Sequence, residues 1–284
     1  MSAALLDRPA PTGPAPRAEV RSLRAVEPEE PIVVYGDFNC PWSYLAFRRA
    51  AVLSAAGMAV DWRAVEHAPR RVRPAADRVR EFESLPAEMD RVVAMLLPGE
   101  LLPYDLSGFV PETRASVAAY AEGYAAHVAG PVRKVLFEAF WMHGIDIGDA
   151  KVLRTLLVDE LRGGSSPSDT VREWGYPVDV TGGPISTSAW RLASRWSAEW
   201  QGRGRRVVPL LVAPGVGLQL GVDAVRWLGE QIVAHDLDLE PPATDAPQPP
   251  DCRELPSIAW VTTNGGQWLS RCTEHEQHRA RRDR

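Results

Sequence analysis

The chain predicts an α/β fold in which a few short strands are separated by a large all-helical insertion. Three observations carry this. The apolar run Ile32, Val33, Val34 and Tyr35 leads directly into a helix-patterned segment over residues 42–56. Between Glu66 and Arg205 the pattern is helical instead of alternating, with no internal repeat. A β-rich run over residues 205–212 then returns, followed by a short strand at residues 217–221 and a helix over residues 223–234.

Taken in order, the first strand is too short and apolar to be solvated, and the second, residues 58–65, alternates as a half-buried strand should. Five helices are expected in the insertion, over residues 77–97, 112–128, 132–143, 149–161 and 186–201. Their ends fall at Pro98-Gly99, Gly130-Pro131, Gly144, Gly163-Gly164 and Gly202, the residues that stop helices. Pro209 interrupts the returning strand. Proline donates nothing to a ladder, so it belongs at an edge, a strand start or a special site.

Between first strand and first helix stands Asp37-Phe38-Asn39-Cys40-Pro41-Trp42-Ser43. A cysteine at a helix start meets exposed amides and the positive end of the helix dipole, which together favour thiolate over an ordinary thiol of pKa ~8.5. Cys40 is therefore the candidate nucleophile. The plain alternative is a small buried apolar residue beside a proline that starts a helix. Asp37, three residues earlier, either relays a proton or caps the turn. His67, just after the second strand, is either a proton shuttle or a solvated loop residue.

Composition narrows the class. The 284 residues, 45% of them hydrophobic, can bury one substantial core, and a net charge of −5 leaves no nucleic-acid footprint. Lysine occurs only at Lys134 and Lys151. Three cysteines without scaffold spacing point to a reducing, cytoplasmic setting. Residues 1–30 are rich in proline and acid and read as a disordered leader with no signal-peptide core. No run of ~18 apolar residues exists, so a spanning helix is not expected.

Two sequence runs beyond the Cys40 segment make a resemblance specific. Residues 136–141 with Gly144-Ile145-Asp146-Ile147 form one; Val208-Pro209 with residues 217–234 form the other. The chain resembles the DsbA family of thioredoxin-fold proteins over roughly residues 31–236, in particular the FrnE-like and 2-hydroxychromene-2-carboxylate isomerase branch that includes kappa-class glutathione transferases. The resemblance implies a thioredoxin-like fold with a helical insertion over about residues 67–204 and a groove between that cap and the sheet. It also implies a cis Val208-Pro209 bond across from Cys40. The main chain at Val208 and Pro209, with Pro41 and Trp42, would then bind substrate.

Ser43 departs from the family pattern. FrnE-like enzymes have a second, resolving cysteine there, whereas the isomerases have serine at both positions. A single thiol can attack a disulfide but cannot release the product alone. The resemblance thus implies a thiol-disulfide oxidoreductase with Cys40 and Ser43 as catalytic residues. Ser43 would donate to the thiolate. The substrate would be a small thiol or a protein disulfide, with glutathione or mycothiol as cosubstrate and no tightly bound cofactor. Alternatives are a glutathione- or mycothiol-dependent isomerase or transferase acting on an aromatic electrophile, and a non-catalytic binding module. A homodimer is compatible with all three.

Phe137, Phe140 and Trp141, with Trp190, Trp196 and Trp200 on the last insertion helix, read as core of the cap, or else as an apolar wall for an aromatic substrate. His127, His143 and His235 sit near helix ends and read as structural. Residues 237–284 read as a Pro-rich linker, a small hairpin turned at Asn264-Gly265 and a charged tail. Cys252, Cys272, His275 and His278 have ligating chemistry, but their spacing does not match a zinc site, and no metal is expected.

Overall fold

The computed structural model describes residues 30–68, 75–102, 109–204 and 207–239, with side chains of residues 75–83 left aside. The expected leader, apart from residue 30, lies outside these residues. So do the tail beyond residue 239 and the four candidate ligands within it.

A four-stranded sheet in the order β2-β1-β3-β4 organises the molecule. Strand β1 (Ile32–Gly36) pairs parallel to β2 (Val60–Ala64) and antiparallel to β3 (Leu210–Ala213), which pairs antiparallel to β4 (Gly217–Leu220). The parallel pair needs a crossover, and α1 (Pro41–Ala55) supplies it. Pro41 occupies its first position, where a missing N–H costs nothing. Residues close to β1 in the sheet are thus drawn from both ends of the described chain.

The insertion comprises α2 (Ala75–Val93), α3 (Arg114–Ala125), α4 (Ala129–Trp141), α5 (Ala150–Leu156), α6 (Val158–Arg162), α7 (Asp169–Trp174) and α8 (Thr187–Gly202); α9 (Val222–Ala234) closes the fold against α1. Two departures from expectation stand out. The helix expected over residues 149–161 divides at Leu157, where the backbone leaves helical angles while the side chain is fully buried. Packing of that leucine outweighs helix continuity. In addition, α7 was not expected. It follows Ser168, carries Asp169 in its first turn, and stops at Gly175 with φ 67°, a left-handed conformation suited to glycine.

Aromatic packing joins sheet and cap. Phe137 of α4 stacks on Phe47 of α1 at 4.6 Å and meets Phe38 at 4.9 Å and Trp62 of β2 at 5.6 Å. Phe140, Trp141, Trp196 and Trp200 are buried with it, which supports the core reading, whereas Trp190 is exposed. Arg49, buried in α1, fixes α1 to α9 and to the segment that follows α2. It pairs bidentately with Glu100 and donates to the carbonyls of Val225 and Met95, so its charge is fully satisfied.

Candidate active site

The β1–α1 turn is held from several sides. Its carbonyl at Phe38 accepts from the Trp141 indole at 2.8 Å, and the Asn39 amide donates to the Pro111 carbonyl at 3.0 Å. Within the turn, the Asp37 amide donates to Ser43 Oγ at 3.2 Å, tying strand end to helix start. Cys40 is the residue before α1, in extended backbone (φ −93°, ψ 124°). Its thiol donates to the Val208 carbonyl 3.6 Å away, and the Val208–Pro209 peptide is cis. Two segments 168 residues apart in sequence therefore meet at one sulfur.

Beside the thiol lies a carboxylate–imidazole pair. His67 Nδ1 is 2.7 Å from Asp37 Oδ2, and the His67 amide donates to the same oxygen at 2.8 Å. The carboxylate is 1% exposed and the imidazole 33%, so the pair runs from interior to surface. Among the described residues, Asp37 Oδ1 and Asn39 Oδ1 are buried without a protein partner. Unpaired buried acceptors are uncommon and call for a reason.

The sequence-expected residues divide clearly. Asp37, Cys40, Ser43, His67, Val208 and Pro209 converge on one locus, and Pro41 is buried beside it as the first residue of α1. Trp42 is partly buried and packs against the core. Asn39, Pro111 and Trp141, which position the turn, were not anticipated. Trp141 could be read as core from its periodicity, but its hydrogen bond to a carbonyl 103 residues away leaves no local signal.

One expectation is corrected. Cys40 is 6% exposed, and burial pushes its thiol up from 9.0 to about 12, while the Ser43 amide and hydroxyl pull the other way and lose. The rise corresponds to roughly 4 kcal/mol against the thiolate, more than the roughly 0.3–2 kcal/mol that a helix N-terminus returns. In this arrangement the sulfur is a protonated thiol at neutral pH, bonded to a carbonyl. The lowered pKa expected from its place at a helix start does not hold here.

Comparison with known proteins agrees with this architecture. Residues 31–160 match the DSBA-like thioredoxin domain. Residues 31–160 thus carry the pattern of a DsbA-like thioredoxin domain. Among solved structures it is similar to 2-hydroxychromene-2-carboxylate isomerase, at 20% identity over 73% of this chain and 96% of that one, with a TM-score of 0.51. It is also similar to a probable DsbA oxidoreductase from Streptomyces coelicolor (14% identity, 72% and 88% covered, TM-score 0.50). A third likeness is to the cytosolic disulfide reductase DsbM from Pseudomonas aeruginosa, solved with GSH (15% identity, 73% and 100% covered, TM-score 0.50). At these identities the likeness is one of fold. No curated protein matches the chain in sequence. Among the described residues, no helix is long and apolar enough to cross a membrane and no cluster of acidic, histidine or cysteine side chains could hold a metal.

Proposed function

We propose that residues 31–236 act as a thiol-disulfide oxidoreductase that works through a single thiol, Cys40, and an external small thiol. The observation that carries this is the Cys40 thiol set 3.6 Å from the Val208 carbonyl, with Ser43 where a resolving cysteine would stand. An extended disulfide substrate would replace the thiol as partner of that carbonyl, with Pro41, Trp42 and Pro209 shaping the contact. The Cys40 proton would leave along Asp37 and His67, which lead from the buried turn to the surface.

The exchange runs in two balanced steps. Cys40 thiolate attacks a substrate sulfur; the new S–S bond forms as the old one breaks, and the departing sulfur leaves as thiolate and takes a proton. A thiolate of the external thiol then attacks the mixed disulfide. It ends joined to the substrate sulfur, and Cys40 is returned as thiolate. Glutathione is the thiol to test first, because the DsbM structure of like fold was solved with it, and mycothiol second. This chemistry suits a reducing cytoplasm.

Replacing Ser43 with Cys supplies the missing resolving thiol. With a dithiol reductant, Ser43→Cys should reduce a peptide disulfide at least tenfold faster than wild type, and wild type should respond to glutathione instead. Equal rates for the two proteins would contradict the single-thiol reading. A glutathione- or mycothiol-dependent isomerase or transferase is favoured by one feature, Ser43, the residue that the isomerase pattern has there. On that reading Cys40→Ser would retain activity toward an aromatic electrophile, whereas the oxidoreductase reading has it lose all exchange.

A further inference from the structure

At the opposite end of the β1–β2 pair from Cys40 lies a cavity of about 410 Å³, bounded by the start of both strands, the end of α1, and the facing ends of α3 and α4. Arg133 of α4 lines it. The guanidinium is 5.4 Å from the centre of the Trp62 ring and 5.6 Å from that of Phe47. Its Nε is sealed from solvent and has no partner, and among the described residues Arg133 forms no ion pair. A partly buried cation with no ion pair is costly to desolvate; burial lowers the Arg133 pKa, and the charge of Asp61 opposes this without cancelling it. Cation–π contact returns only part of that cost.

The same wall contains the first residues of α4. Ala129 and Gly130 line the cavity, and the preceding residue, Val128, offers no side chain to cap the helix. Their amides and the helix dipole favour an anion at the place where Arg133 lacks one. One carboxylate also lines the space, that of Asp61, but it is already engaged. Its Oδ2 is bound by Arg63 at 2.7–2.8 Å and its Oδ1 accepts from the Tyr124 hydroxyl at 3.0 Å. Apart from Ser54 the rest of the lining is apolar or aromatic, with the buried Trp62 and Tyr120 at its base.

We infer that this cavity is a second ligand site, separate from the thiol, that takes a small carboxylate with an apolar or aromatic body. A single guanidinium beside a helix start matches one negative charge, and the mostly apolar lining matches an apolar body better than it matches a hydrated phosphate. Such a volume falls within the range of ligand pockets, ~300–1,000 Å³.

Calorimetric titration of the full chain with benzoate tests this, with benzamide as the uncharged shape control and inorganic phosphate as the anion without a ring. Benzoate should bind once per chain with Kd of about 1 mM or tighter, and benzamide and phosphate at least about tenfold more weakly. Arg133→Met should weaken benzoate at least about tenfold while leaving iodoacetamide modification of Cys40 unchanged. Ala59→Leu, at an exposed position on the rim, should block benzoate by filling the space, and decides the matter if Arg133→Met does not fold. No benzoate binding, equal binding of benzamide, or full affinity in either folded variant would overturn the site.

Discussion

At Cys40 two effects oppose each other, and their sizes decide the outcome. The helix start and the Ser43 donors favour thiolate, burial opposes it, and burial prevails in the closed arrangement. Because the folded pKa is raised above the unfolded one, the associated stability is fully present below about pH 9 and is lost as pH rises toward about 12. Relative to Cys40→Ser, wild type should lose at most about 1.4 kcal/mol per pH unit in that window, read from urea unfolding between about pH 8 and about pH 10. A difference that stays flat with pH would show that the thiol is not buried as described. The motif itself was legible, since a strand, a cysteine and a helix-starting proline lie side by side in sequence. The direction of the pKa shift was not, because it depends on burial, which only the folded packing supplies.

The turn between β1 and α1 is an element suspended from others. The Trp141 indole is the donor for a buried carbonyl, so Trp141→Phe keeps most of the packing and leaves the Phe38 carbonyl unpaired. This should cost about 1–3 kcal/mol in urea unfolding and raise the rate of Cys40 alkylation as the turn loosens. Unchanged stability and rate would remove Trp141 from any positioning role. The limits of α1, α4 and α8 were readable to within a few residues. The division at Leu157 was not, since only tertiary burial explains it. Helix α7 did carry signals, with Ser168 and Asp169 at its start and Gly175 at its end, but its one buried anchor, Val171, gave no periodicity to notice.

Across the whole molecule, Phe137 is where sheet, first helix and cap meet, and Phe137→Ala should cost about 3–5 kcal/mol, measured as a drop in the denaturant midpoint. A loss under about 1 kcal/mol would mean that cap and sheet are not joined through this ring. The spacing of Phe137, Phe140 and Trp141 announced a packed cap, and the order of three sequence runs announced the fold. What no local pattern carries is the meeting of Cys40 with Val208, or of Asp37 with His67, because sheet topology alone brings them together. The central claim is that Cys40 is a nucleophile without an internal resolving partner. Intact-mass analysis after incubation with glutathione disulfide, followed by peptide mapping, tests it most directly. One persistent glutathione adduct should form on Cys40, absent in Cys40→Ser and discharged through an internal disulfide in Ser43→Cys; a wild-type protein that leaves Cys40 unmodified, or resolves the adduct unaided, would contradict the single-thiol assignment.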